Sequence, residues 1–221
     1  MNDTPADVTD SFVPAAGRAW LTGAYDRAVA VSMRERAWRP SLVSAVARDL
    51  PSCGTVVEVG CGTGSLTVAL AAARPDVTVI GVDGDPGVLA IARRKPGAGR
   101  VTWIEGYAGS FLLPSASAHV ALSSLLLHHL SDADKAAALD HIADVLTDDG
   151  VLHVADWGPP RGPATALGAR AMQLLDGRAG PQILLDGQLP GLLAAAGFTA
   201  SRRHAALRTV WGTLEVWRAQ R

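Results

Sequence analysis

Cysteine is scarce in this chain: only Cys53 and Cys61 occur among its 221 residues. A buried strand is predicted between them, so the two thiols could hardly meet as a disulfide. Their spacing does not match a zinc site either, and we expect no metal. The first five residues lack the basic-then-apolar layout of a signal peptide. We therefore expect a protein of the reducing cytoplasm.

The sequence also lacks an excess of charge and a long apolar run. It has 20 basic and 21 acidic residues, a formal net charge of −1, and so no basic stripe of the kind that nucleic-acid binding requires. No apolar stretch approaches the length of a membrane span. We expect neither a nucleic-acid nor a membrane partner. Hydrophobic residues at 48% and charged residues at 19% instead indicate one well-buried domain of ordinary size.

The chain is organised around residues 55–66. An apolar, β-branched run ends in three glycines at alternate positions, Gly60, Gly62 and Gly64, and an Ala/Leu-rich segment follows. This order predicts a buried strand, a tight turn and the start of a helix. Glycine permits positive φ angles and lets a ligand approach the backbone closely. The amides at the helix start can bind carboxylate or ribose oxygens.

The glycine spacing argues against NAD. A dinucleotide fingerprint has two residues between its second and third glycines, whereas only Thr63 separates Gly62 from Gly64 here. The next predicted strand, residues 77–82, ends in Asp83, 19 residues after Gly64. At that separation a parallel βαβ unit places an acid that can accept hydrogen bonds from a ribose diol.

With Glu58 in the strand, the pattern E-x-G-x-G-x-G resembles motif I of the class I S-adenosylmethionine-dependent methyltransferases. Residues 81–93 resemble motif II of the same superfamily. The resemblance implies a three-layer, Rossmann-like α/β fold with a mostly parallel seven-stranded sheet and an antiparallel last strand. It also implies S-adenosyl-L-methionine as the cofactor.

The implied cofactor site draws on both motifs and on the segments beside them. Asp83 would hold the ribose hydroxyls, and Gly84 and Asp85 would line the adenine side. The residues that the resemblance assigns to the cofactor are Tyr25, Glu58, Gly60, Cys61, Gly62, Gly64, Asp83, Gly84, Asp85, Tyr107, Ala108 and Ser124.

One segment departs from the family pattern. Many members have Gly-Asp-Ala after strand three, where the Asp accepts a hydrogen bond from the adenine amino group, but this chain has Gly106, Tyr107 and Ala108. Either a backbone carbonyl or the Tyr107 hydroxyl serves instead, or stacking holds the adenine. His119 likewise replaces an acid at the start of strand four, where we expect a structural role for it.

Three residues at the ends of strands four and five are candidates for catalysis. Strand four, residues 120–123, leads into His128 and His129. Strand five, residues 151–155, ends at Asp156 at the same predicted edge of the sheet, where ligands bind. Either histidine could act as a base if the methyl acceptor loses a proton, and Asp156 is a similar candidate. The alternatives are a hydrogen-bonded structural histidine and a turn or cap role for the aspartate. Because the two histidines are adjacent, we expect their side chains to point apart and to form no metal site.

Residues 1–50 are predicted to form a helical lid, with helices over residues 15–33 and 40–50. This segment resembles the N-terminal lid of ubiquinone/menaquinone-biosynthesis C-methyltransferases. Tyr25 would lie over the cofactor or, equally well, in the core with its hydroxyl bonded to backbone. The arginines of residues 34–39 are interpreted as a solvated face rather than an anion site.

The rest of the chain, residues 51–221, is predicted to be the single cofactor-binding domain. Residues 159–186 are interpreted as a mobile substrate cover, with a helix fixed on the sheet as the alternative. Residues 199–207 and 213–218 alternate polar and apolar side chains, which predicts a hairpin at the edge of the sheet.

Together these patterns predict a methyltransferase, monomeric or homodimeric, that acts on a small molecule. Methyl transfer is an in-line displacement in which oriented proximity can supply about 7–11 kcal/mol. The accepting atom, C, O, N or S, stays open. A protein that binds S-adenosylmethionine or S-adenosylhomocysteine without transferring a methyl group is the alternative, because the adenine-site acid and the strand-four acid of the family pattern are missing. An NAD-dependent oxidoreductase is a weaker one.

Overall fold

A computed structural model describes residues 34–176 and 179–221. The predicted helix over residues 15–33 and Tyr25 lie outside these ranges. One sheet of seven strands forms the centre of the described structure. In chain order the strands are β1 (Thr55–Val59), β2 (Thr78–Asp83), β3 (Val101–Glu105), β4 (Ala118–Ser124), β5 (Leu146–Gly158), β6 (Thr199–Thr209) and β7 (Gly212–Gln220).

Helices cover both faces of the sheet. The α-helices of the described residues are α1 (Glu35–Asp49), α2 (Ser65–Ala73), α3 (Pro86–Ala92), α4 (Asp132–Val145), α5 (Pro163–Asp176), α6 (Ala179–Leu185) and α7 (Leu189–Ala195). On one face, Trp38 and Leu42 of α1 pack with Leu70 of α2. On the other face, Leu139 of α4 packs with Leu193 of α7. Within the described ranges, no helix has both the length and the apolar character that crossing a membrane requires.

The strand order is β3-β2-β1-β4-β5-β7-β6. Strands β1 to β5 are parallel, and β7 runs antiparallel to β5 on one side and to β6 on the other. The buried β-branched runs of the parallel strands explain this arrangement, because both of their faces are covered by helices. The predicted fold class, including the antiparallel last strand and the terminal hairpin, is confirmed.

Helix starts follow the capping residues in the sequence. The Asp85 carboxylate accepts hydrogen bonds from the amides of Gly87 and Val88, so α3 begins at Pro86. The Ser131 hydroxyl accepts from the Asp134 amide at the start of α4. Both caps satisfy amides that would otherwise lack a partner at a helix start.

Two predicted boundaries were wrong. Helix α1 begins at Glu35 rather than at residue 40, so Pro40 lies inside the helix. Burial of Trp38 holds the turn before the proline in place. Strand β5 begins at Leu146 rather than at residue 151. Its pairing with β4 is irregular there, because the register passes from Leu146 directly to Val151.

The end of α1 is fixed to the sheet by ionic hydrogen bonds. Asp49 Oδ2 lies 2.8 Å from His153 Nε2 and accepts from Arg218 Nε at 2.9 Å. The hydrogen bond from His153, together with Arg218, holds the pKa of the Asp49 carboxyl well below its usual range, although partial burial acts in the opposite direction. These contacts join residues of α1, β5 and β7 that are distant in sequence.

Helices α5 and α6 lie over the carboxyl end of β5. Ala169 and Met172 of α5 pack against Trp157. Gly180 of α6 sits so close to the backbone carbonyl of His128 that a Cβ there would collide with it. These helices therefore cover the edge of the sheet at which ligands were predicted to bind. The mobility of residues 159–186 and the domain boundaries stay predictions.

Candidate functional site

The loop between β1 and α2 contains three glycines in the left-handed region. Their φ angles are 73° for Gly60, 52° for Gly62 and 72° for Gly64. A Cβ on Gly60 would collide with Leu126, and one on Gly64 would collide with Trp103. A Cβ on Gly62 would meet nothing within 4 Å. Two of the glycines thus permit packing, and Gly62 faces open space that a ligand could use.

Asp83 ends β2 directly beside this loop. Its Oδ2 accepts a hydrogen bond from the Gly62 amide at 2.7 Å, and its Oδ1 accepts from the Asp85 amide at 3.0 Å. Burial raises the pKa of Asp83, although the amides of Asp85 and Gly62 oppose the rise. Each carboxylate oxygen has a second lone pair. Asp83 can therefore accept a hydrogen bond from a ligand hydroxyl while it stays bonded to the glycine loop and to the loop that follows β2.

Glu58 lies beneath the glycine loop and is 1% exposed. Its Oε2 accepts a hydrogen bond from Thr67 Oγ1 at 2.5 Å, and Ser124 also hydrogen-bonds to the carboxyl group. Burial raises the pKa of Glu58 to about 7, against the Thr67 hydrogen bond and the Arg39 charge. This carboxyl group is therefore poised between its neutral and charged forms near neutral pH.

The raised pKa of Glu58 predicts a loss of stability as the pH rises. Between pH 4.5 and 7 the unfolded chain loses this proton while the folded chain keeps it, so the contribution of Glu58 to stability is fully present below pH 4.5 and is lost as the pH rises through 7. We expect the free energy of unfolding to fall across this window by up to about 3 kcal/mol more in the wild type than in Glu58→Gln. Urea unfolding of both proteins across the window measures this, and parallel pH profiles would contradict it.

Arg39 of α1 brings a positive charge to the same region. Its Nη2 donates to Glu35 Oε1 at 2.9 Å, and its guanidinium lies 5.7 Å from the Trp38 ring centroid. The Nε atom is buried without a hydrogen-bond partner. A buried donor of this kind is costly unless a ligand or water satisfies it. Arg39 and Glu58 thus offer opposite charges near the glycine loop.

The predicted adenine side contains Gly84, Asp85, Tyr107 and Ala108. Tyr107 is 62% exposed and its ring lies against Gly84. Ala108 is half-buried against the core. The side chain of Asp85 caps α3. These residues belong to the loops that follow β2 and β3, and both loops lie beside Asp83.

Cys61 lies in the glycine loop, where its backbone amide makes a hydrogen bond. Its amide donates to the Val82 carbonyl at 2.9 Å. The side chain is 7% exposed, with its sulfur against Gly81, and burial raises the pKa of the thiol. Cys61 and Cys53 are both free, as predicted.

The second part of the site lies at the ends of β4 and β5. His128 Nδ1 lies 2.8 Å from Asp156 Oδ1. The other Asp156 oxygen accepts from the Leu127 amide at 2.8 Å, and Oδ1 also accepts from the Trp157 amide at 2.7 Å. Burial acts to raise the pKa of Asp156, but His128 and these hydrogen bonds lower it overall. Asp156 is thus held as an anion that orients His128.

The two adjacent histidines do not point apart, contrary to the sequence interpretation. A 3-10 turn, Leu127–His129, brings the ring centroids of His128 and His129 to 4.0 Å. Among residues 34–176 and 179–221, no three His, Cys, Asp or Glu side chains gather as a metal site would require. The His119 Nδ1 atom accepts from the Thr55 amide at 3.1 Å, which confirms its structural role.

Comparisons with known proteins agree with this geometry. Residues 56–150 match a family described as "Methyltransferase domain". The ubiquinone/menaquinone biosynthesis C-methyltransferase of Syntrophotalea carbinolica is 28% identical over 134 residues, which are 60% of this chain and 55% of that protein. Residues 56–150 are therefore a methyltransferase domain. The chain spans about half the length of the curated relatives that it matches first.

Solved structures share the methyltransferase fold. A candidate O-methyltransferase of Nostoc punctiforme superposes with a TM-score of 0.72 at 22% identity, covering 92% of this chain and 59% of the other. A Thermotoga maritima protein, described as a S-adenosylmethionine-dependent methyltransferase and possible histamine N-methyltransferase, gives a TM-score of 0.69 at 22% identity. This match covers 91% of this chain and 96% of the other.

The structure places the sequence-predicted residues in two groups. Around the glycine loop and its neighbouring strands lie Glu58, Gly60, Cys61, Gly62, Gly64, Asp83, Gly84, Asp85, Tyr107, Ala108 and Ser124. The second group joins His128, His129 and Asp156. The sequence interpretation placed Arg39 on a solvated face, but its Nε atom is buried. Its pairing with Glu35, four residues earlier, was a local signal for a different role.

Proposed function

We propose that this protein is an S-adenosylmethionine-dependent methyltransferase that acts on a small molecule. One observation carries the proposal: the open space at Gly62, whose own amide is bonded to the Asp83 carboxylate at 2.7 Å. A nucleoside ribose needs such a side-chain acceptor next to an unobstructed backbone turn. The match of residues 56–150 to a methyltransferase domain supports the nature of that nucleoside.

Each end of the cofactor has partners of suitable chemistry in this chain. Asp83 would accept from the ribose hydroxyls. Glu58 and Arg39 would face the α-ammonium and α-carboxylate groups, because they offer opposite charges near the loop. Tyr107 lies on the adenine side. When bound, S-adenosylmethionine supplies an electrophilic methyl group on a sulfonium, and its displacement removes the positive charge.

The acceptor side is built around His128. Asp156 binds its Nδ1, which leaves Nε2 as the nitrogen able to take a proton from the acceptor. This arrangement supports an acceptor atom that must lose a proton, such as a hydroxyl or an amine. Asp156 acts through His128 and is a positioning residue.

Two observations support a small acceptor. Helices α5 and α6 pack directly over the edge that holds His128 and Trp157, which favours a compact molecule over a polymer. The relative from Syntrophotalea carbinolica is named for ubiquinone and menaquinone biosynthesis, which involves small molecules. The net charge of −1 gives no support for nucleic acid.

The alternative function is binding of S-adenosylmethionine or S-adenosylhomocysteine without methyl transfer. The 5% exposure of His128 beneath α6 favours it, because an acceptor can reach this ring only if the cover moves. A labelled-methyl assay against phenols, amines, thiols and activated carbon acids separates the two functions. Binding with no transfer to any of these classes would favour the alternative.

Calorimetry with S-adenosylhomocysteine and NAD tests the cofactor itself. We expect the wild type to bind the first and not the second. Asp83→Ala should weaken binding of S-adenosylhomocysteine by about 1–3 kcal/mol, because the ribose hydroxyls lose their acceptor. Asp140→Ala on the exposed surface of α4 is the control and should bind as the wild type does. Equal affinity of the two variants would remove Asp83 from the site.

A further inference from the structure

Trp157, just before the last residue of β5, lies beside the proposed base. It is 3% exposed, and its ring centroid is 6.0 Å from that of His128. The Trp157 amide donates to Asp156 Oδ1 at 2.7 Å, and the same oxygen lies 2.8 Å from His128 Nδ1. One carboxylate oxygen therefore anchors both residues at the edge of the sheet.

The indole N–H of Trp157 is unused within the described structure. Its Nε1 atom is buried and has no hydrogen-bond partner among the described residues. This is costly, because an indole N–H only donates and buried tryptophans usually have a partner. The side chains of α5 and α6 that pack on the ring, Ala169, Met172 and Leu185, are apolar. A resident water needs two or more polar partners, which these side chains do not provide. The donor is therefore available to a bound molecule.

The indole edge that carries Nε1 faces away from β7. Cε3 and Cζ3 of the ring lie 3.6 and 3.7 Å from the position that a Cβ on Gly212 would occupy, so the edge with these carbons is turned toward β7. In an indole, Nε1 is on the opposite edge. Strand β4 and the 3-10 turn with His128 lie on that other side of β5. The unused donor is thus on the same side as the proposed base.

We propose that the Trp157 N–H binds a second oxygen of the methyl acceptor, next to the hydroxyl that gives its proton to His128. This inference rests on the proposed function. The attacking oxygen needs its lone pair for the new bond to carbon, and a hydrogen bond donated to that atom would hold the pair back. A donor beside the base is therefore best used on a neighbouring oxygen, where it orients the molecule. Catechol and salicylate have this arrangement, whereas phenol lacks the second oxygen.

Calorimetry on the complex with S-adenosylhomocysteine tests the inference without turnover. We expect the wild type to bind catechol and salicylate at least about tenfold more tightly than phenol, because phenol leaves the buried donor unpaired. Trp157→Phe keeps an aromatic ring but has no donor. It should bind all three compounds with the affinity of the wild type for phenol, within about threefold. In labelled-methyl assays its KM for catechol should rise by the same factor, with kcat changed by less than about threefold, because His128 still takes the proton.

The matched control is Trp211→Phe. Trp211 is partly exposed and packs against the same cluster as Trp157, so this variant also replaces an indole by a phenyl ring there. It should keep the wild-type preference for catechol and salicylate. Thermal melts show whether each variant is folded.

A measurement on the wild type needs no substitution at all. The chain has six tryptophans, whose indole N–H signals are observed by ¹⁵N-edited NMR. The Trp157 signal is assigned by its nuclear Overhauser contact with the Ala169 methyl group. We expect this signal to move downfield when catechol is added to the complex with S-adenosylhomocysteine, because the N–H gains an oxygen partner.

The possible failures are distinguishable. A wild type that does not bind S-adenosylhomocysteine overturns the proposed function and this inference with it. A wild type that binds S-adenosylhomocysteine, but binds catechol and salicylate no more tightly than phenol, overturns the inference alone. So does a Trp157 signal that stays in place, or a Trp157→Phe variant that keeps the preference. Equal loss of the preference in Trp211→Phe would assign it to the packing of the cluster, and the role of the N–H would be wrong.

Discussion

Gly62→Val is expected to abolish binding of S-adenosylhomocysteine, weakening it by more than about 100-fold, while the protein stays folded. A Cβ at this position meets no protein atom within 4 Å, so the added side chain would occupy the open space beside Asp83. Calorimetry measures the loss of affinity, and thermal unfolding shows that the fold survives.

The backbone strain of this substitution has a matched control. Gly197 after α7 also has a positive φ, 84°, and also has no atom within 4 Å of a Cβ position. Gly197→Val should therefore be destabilised by a similar amount, about 1–3 kcal/mol, and still bind S-adenosylhomocysteine. If Gly62→Val binds as well as Gly197→Val does, the loop does not contact the cofactor. Gly60 and Gly64 are unsuitable for this test, because their Cβ atoms would disturb packing.

His128→Ala is expected to lower kcat for methyl transfer by about 10²- to 10⁴-fold, with the affinity for S-adenosylhomocysteine unchanged. The reason is that the imidazole held by Asp156 is the group placed to take the acceptor's proton. Asp156→Asn should lower kcat as well, because an amide cannot stabilise the protonated imidazole as the carboxylate does. The measurement is labelled-methyl transfer to whichever acceptor class is active.

His204→Ala, an exposed change in β6, is the control for this experiment and should leave kcat unaltered. The double variant of His128 and Asp156 should be no slower than the slower single variant, because the two residues act as one unit. Unchanged kcat in His128→Ala would mean that the acceptor needs no base at this position. His128 would then be a structural histidine beneath the cover.

The sheet and the glycine loop could be predicted because their signals are local. Alternating glycines after a β-branched run, and Asp83 at a fixed separation, specify a strand–turn–helix unit and its neighbour. Helix caps such as Asp85 and Ser131 can also be predicted from the sequence, since they lie within three residues of the amides that they bind.

Features that depend on tertiary docking could not be read in this way. Arg39 reaches the region of Glu58 only because α1 packs on the same face as α2. The Asp49 contacts with His153 and Arg218 span 104 and 169 residues of sequence. The pairing of the His128 and His129 rings depends on a 3-10 turn, which residue spacing alone does not specify.

The position of β7 inside the sheet has a consequence for assembly. Strand β6 precedes β7 in the chain, but its strand partner in the sheet is β7, which separates it from β5. Until the later strand inserts, β5 therefore keeps an unpaired edge with open backbone groups, and such edges invite association between chains. Completion of this sheet should accordingly be a late, slow event that depends on contacts between distant parts of the sequence.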